Sequence, residues 1–154
     1  MQEYKISFWR NLRFASWTLL WASLLSFLIF FQPIDNGIAI LCFLYLLILP
    51  GILIHLRYYF EDRNKVLQFG KDYIEVILAD RSYRIRYTDI NIVEHHYNYW
   101  EFKNPWGKYG YIKILLNDTT TFKYTCLLFD NLASLALFKA HNIPLKECEE
   151  TIPW

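Results

Sequence analysis

An almost charge-free stretch between residues 14 and 56 constrains the fold most strongly, because its only formally charged side chain is Asp35. Asp35 lies in a polar segment, residues 32–37, whose proline, asparagine and glycine are typical of a turn. The apolar runs on either side, residues 14–31 and 38–56, would each form roughly 27 Å of helix, close to the bilayer core of about 30 Å. The sequence therefore predicts a transmembrane helical hairpin.

The basic residues that flank this hairpin all lie at the end where the chain enters and leaves it, and not at the turn. Arg10 and Arg13 precede the first run, Arg57 and Arg63 follow the second, and the turn between the runs contains no Lys or Arg. By the positive-inside rule we expect both termini in the cytoplasm. A cleaved signal peptide is the alternative for the first run, but that run is longer than a secretory core and a second apolar run follows directly.

Charge balance and cysteine content exclude other kinds of protein. Lys and Arg total 16 against 15 Asp and Glu, so the chain lacks the basic field with which proteins neutralise nucleic-acid phosphates. The cysteines, Cys42, Cys126 and Cys148, are unevenly spaced, which fits neither a disulfide framework nor a zinc site. We expect no nucleic-acid partner, no metal and no cofactor.

A two-residue period replaces the apolar runs beyond residue 60. Segment 83–87 alternates between aromatic or apolar and basic side chains, and turn-forming residues separate several segments of this kind. An apolar stripe with helical spacing follows, and Pro144 prevents its continuation. This half of the chain predicts six or seven short antiparallel strands and then one helix at about 130–141.

This order of elements resembles the bacterial pleckstrin-homology-like (PH-like) domain family, whose members are often attached to two N-terminal transmembrane helices. The resemblance implies a strongly bent seven-stranded sheet capped by a helix, and a function in binding rather than catalysis. It rests on the strand pair at residues 69–76, the basic strand at 84–87, the segments 88–94 and 107–112, and the C-terminal helix.

The predicted fold class is therefore α+β. An N-terminal two-helix transmembrane hairpin occupies residues 1–60, with helices at about 14–31 and 38–56. A cytoplasmic PH-like domain at residues 61–154 follows, with a bent antiparallel β-sheet of six or seven strands and one C-terminal helix. We expect an integral protein of the bacterial inner (cytoplasmic) membrane with both termini in the cytoplasm.

One candidate binding site is a cluster of arginines on the basic strand. Arg84 and Arg86 share one face of this strand, and Arg81 lies in the adjoining turn. Such a cluster can hold a phosphate headgroup through charge-assisted hydrogen bonds. The nearby acids Asp80 and Asp89 keep the alternative open that this is a solvated polar strand face.

A second candidate is the aromatic segment between residues 97 and 111. Amphipathic aromatic side chains suit a membrane interface or a protein contact, and a tryptophan in a loop has no core strand to belong to. Aromatic residues on strands are partly core, so binding and packing both remain open for this segment. The candidate contact residues are Trp100, Phe102, Lys103, Trp106 and Lys108.

The chain contains none of the common catalytic motifs. Neither G-x-S-x-G, a P-loop, G-x-G-x-x-G, H-E-x-x-H nor C-x-x-C occurs. His95 and His96 are neighbours on a predicted strand, so they point to opposite faces and cannot easily bind one metal together. We therefore predict that the protein is not an enzyme.

The predicted function is a non-catalytic binding or scaffolding module, held at the cytoplasmic face of the membrane to contact lipid headgroups or a partner protein. Predicted partners are membrane lipids, a membrane protein, or a second copy through the hairpin, where Ala22 and Ser26 form a small-xxx-small pair. One alternative is an immunity protein that neutralises a membrane-active toxin. Another is a conducting subunit, which rests on His55 alone.

Overall fold

The computed structural model describes residues 2–30, 37–98, 106–151 and 153, which form helices and strands. In chain order they are β1 (Gln2–Tyr4), α1 (Phe8–Phe30), α2 (Gly37–Asp62), β2 (Val66–Phe69), β3 (Tyr73–Ile77), β4 (Ser82–Arg86), β5 (Ile90–Asn98), β6 (Gly110–Leu116), β7 (Thr121–Thr125), α3 (Asn131–Ala140) and β8 (Leu145–Glu150). A short 3₁₀ turn at Tyr87–Asp89 joins β4 to β5.

The described strands form two four-stranded sheets, in the orders β1-β2-β3-β4 and β7-β6-β5-β8. Of the described strand pairs, those in the first sheet and around β6 are antiparallel, whereas β5 and β8 run parallel. A parallel pair needs a crossover connection. Here that connection includes β6, β7 and α3, which bring the chain back to the free side of β5.

The main hydrophobic core lies between the two sheets and α3. Alternate residues of β2 and β3 are buried, as the two-residue period of a strand requires. Ile74 from the first sheet, Ile112 and Ile114 from the second, and Phe138 from α3 are each 0% exposed. Burial of a side chain of this size contributes about 1.5–3 kcal/mol, so these contacts hold the sheets and α3 together.

The predicted fold class is wrong in how its parts are connected. β1 precedes α1 and pairs with β2, so the two long helices are inserted between neighbouring strands of one sheet. The strands form two sheets where the sequence predicts one bent sheet, and β8 follows the helix that is predicted to close the domain. β1 has three residues and β8 has the sequence LKECEE, so neither carries the apolar alternation by which strands are recognised.

The predicted integral membrane localisation is also contradicted. Among the described residues, no helix combines the length and the apolar character that crossing a bilayer requires. α1 begins before the predicted apolar run and contains Arg10 and Arg13, and α2 continues beyond its run through Arg57 to Asp62. Residues 31–36, which include most of the predicted turn, lie outside the described residues.

The second half of α2 packs against the second sheet through a small hydrophobic cluster. Ile54 and Tyr58 are each 0% exposed, and they pack with Tyr109 and Cys126. The Tyr58 hydroxyl also donates a hydrogen bond to the backbone carbonyl of Pro153 at 2.8 Å. This part of α2 therefore belongs to the core of the β domain.

The last residue of α2, Asp62, is a carboxylate that is 0% exposed. Its Oδ2 accepts hydrogen bonds from the Thr125 backbone N–H at 2.7 Å and from the Thr125 hydroxyl at 2.6 Å. Its Oδ1 accepts from Lys65 Nζ at 3.0 Å. A buried charge persists only where it is paired and hydrogen-bonded, so these contacts fix the end of α2 against the end of β7.

Replacement of Asp62 by alanine is expected to lower the free energy of unfolding by about 3 kcal/mol, because the buried donors of Thr125 lose their acceptor. The measurement is urea unfolding followed by tryptophan fluorescence. Asp80→Ala is the matched control, since Asp80 pairs with Arg81 at 3.2 Å on the surface and exposed pairs contribute little. Equal losses in the two variants would contradict the role of Asp62.

Candidate functional site

The arginines predicted to bind a headgroup lie at the outer edge of the first sheet. β4 is an edge strand, and the side chains of Arg84 and Arg86 are 61% and 73% exposed. Each arginine has a carboxylate within ion-pair distance, so a ligand phosphate would compete with an acid already in place. The pairs are Arg81–Asp80 at 3.2 Å, Arg84–Glu75 at 3.7 Å and Arg86–Asp89 at 3.1 Å. As a headgroup site, the cluster stays a prediction.

The predicted aromatic contact site is described in part. Trp100, Phe102 and Lys103 lie outside the described residues. Trp106 is half-buried, and its indole Nε1 donates to the backbone carbonyl of Thr151 at 3.0 Å. Lys108 lines a cleft next to the second sheet. Of the candidate residues of this segment that the structure describes, Trp106 therefore holds the chain after β8 and Lys108 lines the cleft. As a contact site, the segment stays a prediction.

A cleft of about 700 Å³ lies between the start of α1 and the second sheet. α1 contributes Arg10 and Arg13, whose spacing of three residues puts them on one face of the helix. Lys108 comes from the segment that leads into β6. Apolar and aromatic lining is supplied by Phe14, Tyr97, Tyr109, Leu132 and Leu135. Apolar walls with a few polar groups are typical of ligand sites.

Local contacts hold part of this lining in place. The guanidinium of Arg10 donates a hydrogen bond to the backbone carbonyl of Leu128. Asp130 and Glu147 bring acidic groups to the lining, and the Asp130 side chain caps α3 by accepting from a backbone N–H in its first turn at 3.0 Å. Arg13 is exposed at the cleft. Unlike Arg10, Arg13 can therefore turn toward a ligand without breaking a hydrogen bond to a backbone carbonyl.

Burial favours the neutral form of two titratable groups of the cleft, His95 and Cys126. It lowers the pKa of His95, whose side chain faces the cleft while that of His96 lies on the opposite face of β5. It raises the pKa of the Cys126 thiol to about 12, so the thiol stays protonated at neutral pH. Across the described ranges, no group of three or more His, Cys, Asp or Glu side chains is placed to hold a metal ion.

His55 has a partner that the sequence does not reveal. Its Nδ1 lies 2.8 Å from the hydroxyl oxygen of Tyr109, 54 residues away, and the two rings meet edge to face. The Tyr109 hydroxyl also lies 3.4 Å from the backbone carbonyl of Phe14 in α1. Burial lowers the pKa of His55. This contact gives His55 a structural role, because it links both long helices to the wall of the cleft.

A second polar cluster lies on the face of β5 that is turned away from the cleft, and sequence analysis misses it. His96 Nδ1 lies 2.6 Å from Glu150 Oε1, and the Tyr111 hydroxyl donates to the same oxygen at 3.2 Å. Beside them, Lys146 donates to Glu94 at 2.9 Å, and this bond holds the pKa of Glu94 below its ordinary value. The sequence does not reveal this cluster because nothing in the sequence of β8 predicts that it pairs with β5.

Comparison with known protein families finds a match over most of the chain. A family model described as a PH domain matches residues 3–137. The matched range begins in β1 and ends in α3, so both inserted helices lie inside it. Comparisons with curated proteins and with solved structures find no match.

Lowering the pH from about 7.5 to about 5.5 is expected to destabilise the fold through His55 and His95. Both have pKa values below the ordinary 6.5, so in this range the unfolded chain binds protons more readily than the folded one. Their contribution is fully present above pH 6.5 and is lost as the pH falls through the folded-state values. Urea unfolding should show a smaller pH difference for the double variant His55→Gln/His95→Gln, and an unchanged difference would contradict this assignment.

Proposed function

Because the chain belongs to the PH-domain family, we propose that it is a binding module that attaches to anionic lipid surfaces through the start of α1. PH domains are generally non-catalytic modules that bind lipids or proteins. The PH-like resemblance drawn from the sequence is confirmed by the family match, whereas the two N-terminal transmembrane helices of its anchored members are not supported.

Exposed aromatic side chains lie beside basic ones in the first turns of α1, and this observation carries the proposal. Phe8 is 72% and Trp9 75% exposed, while Arg10 and Arg13 line the cleft. Aromatic side chains favour the headgroup region of a bilayer, and arginine binds phosphate through charge-assisted hydrogen bonds. The start of α1 therefore offers both kinds of contact that an anionic lipid surface can use.

Further apolar side chains along the helix pair are also exposed. Large exposed apolar patches mark places of contact with lipid or with another protein. A lipid surface can cover side chains on two helices without the detailed shape complementarity that a protein interface needs. The most exposed of these side chains beyond the first turns of α1 are Leu19, Leu20, Phe27, Tyr45, Leu46 and Phe60.

Other predicted binding partners include a second copy of the chain and a membrane-active toxin. Ala22 and Ser26 lie on α1, where the Ser26 hydroxyl donates to the Ala22 carbonyl at 2.8 Å, and self-association through this pair stays a prediction. Neutralisation of a membrane-active toxin also stays a prediction. Lipid is the favoured ligand because Arg10, Arg13 and Lys108 add basic groups to the cleft, which suits an anionic headgroup.

Arg13→Gln is expected to weaken binding to mixed phosphatidylcholine–phosphatidylglycerol vesicles about fivefold, because one basic residue near an anionic surface contributes ~1 kcal/mol. Binding is measured by co-sedimentation at low and at high salt, and its charge-dependent part should fall as salt rises. The wild-type chain should prefer these vesicles to vesicles of phosphatidylcholine alone.

Arg84→Gln is the matched comparison, since Arg84 is also exposed but pairs with Glu75 on the first sheet. We expect this variant to bind vesicles as the wild type does. A loss confined to Arg84→Gln would place the headgroup site at the arginines of β4. Binding that responds neither to lipid charge nor to salt would contradict a headgroup site at either position and favour a protein partner for the exposed helices.

A further inference from the structure

β8 completes the second sheet without contributing to a core. It pairs in parallel with β5, in a register that runs from Val93 opposite Leu145 to Asn98 opposite Glu150. Four of its six side chains are exposed, and none belongs to the hydrophobic clusters of the described residues. The family match ends at residue 137, before β8, although β5 lies within it. Main-chain pairing and polar contacts therefore hold β8 in place.

The chain that follows β8 is held through its backbone. The Asn98 side-chain amide and the Trp106 indole N–H both donate to the carbonyl of Thr151. The Tyr58 hydroxyl donates to the carbonyl of Pro153 at 2.8 Å. These acceptors are main-chain atoms, so the contacts do not depend on which side chains the bound segment carries. With the backbone groups of β5, they hold an extended segment of chain along this side of the sheet.

Side-chain contacts distinguish particular residues of β8. The Glu150 carboxylate meets His96 at 2.6 Å and the Tyr111 hydroxyl at 3.2 Å. Four residues earlier, Lys146 Nζ donates to the Glu94 carboxylate at 2.9 Å. The Glu94 carboxylate therefore selects a lysine in the paired strand, and the side chains of His96 and Tyr111 select a glutamate four residues later.

We propose that the side of β5 next to β8 is a recognition edge for an extended peptide of the pattern Lys-x-x-x-Glu, and that β8 occupies this edge as an intramolecular ligand. A partner's peptide displaces β8 and adds to the sheet as a strand. Its lysine binds Glu94, and its glutamate binds His96 and Tyr111. This interaction goes beyond the proposed contact with lipid, and its test contains no lipid.

Fluorescence anisotropy of a labelled peptide of residues 144–154, added to the 154-residue chain, tests the recognition edge. Glu150→Gln in the chain weakens the internal strand and leaves β5 intact, so the wild-type peptide should bind this variant about tenfold more tightly than it binds the wild-type chain. Glu149→Gln is the matched control, because it makes the same change of charge at an exposed position of β8. It should leave peptide binding unchanged.

The peptide can be varied in the same assay. A peptide that carries Glu150→Gln should bind the Glu150→Gln chain about tenfold more weakly than the wild-type peptide does. If the two chain variants bind the wild-type peptide equally, or if the two peptides bind equally, the recognition edge is overturned.

Amide hydrogen exchange on the unmodified chain supplies a measurement that needs no variant. The Val93 N–H donates to the Pro144 carbonyl at 2.9 Å, and successive N–H groups of β5 then alternate between β8 and β6. The amides of β8 that face β5, and those of β5 that face β8, should exchange through one shared opening and faster than the β5 amides that face β6. Exchange of β8 at the rate of global unfolding would overturn the proposal.

Discussion

The buried carboxylate of Asp62 is the contact on which the arrangement of helices and sheets depends. Asp62 ends α2 and accepts hydrogen bonds from both the backbone and the hydroxyl of Thr125, which ends β7. Lys65 pairs with the same carboxylate and also donates to the Lys123 carbonyl at 2.9 Å. Since an unpaired charge is too costly to bury, these segments must come together as a unit. This junction fixes the end of α2 against the second sheet.

The start of α1 is held by a second contact, at Tyr109. α2 is fixed to the second sheet, and Phe14 of α1 and His55 of α2 both reach the hydroxyl of Tyr109. Through this tyrosine the first turns of α1 are held beside the sheet, which brings Arg10 and Arg13 to the cleft. Two of the basic groups at the cleft, Arg10 and Arg13, therefore depend on helices inserted between two strands of the other sheet.

Regular periodicity explains which parts of the fold can be predicted from the sequence. The alternation at residues 83–87 falls on β4 except for its last residue, Tyr87, and the apolar stripe before Pro144 falls on α3. β1 and β8 have no apolar alternation, so their pairing appears only in the tertiary structure. The membrane prediction rests on residues 14–56 alone, whereas α1 begins and α2 ends in charged sequence. Composition within a window does not determine where a helix starts or stops.

The candidate site is harder to predict because its contacts join distant parts of the chain. Arg10 meets the Leu128 carbonyl across 118 residues, and His96 meets Glu150 across 54. The position of Arg84 on a polar strand face can be read from the sequence, but its ion pair with Glu75 cannot. The Glu75 carboxylate competes with a phosphate for the guanidinium, although an exposed pair of this kind contributes little. Local patterns thus locate charged side chains, and the tertiary fold determines which of them are available to a ligand.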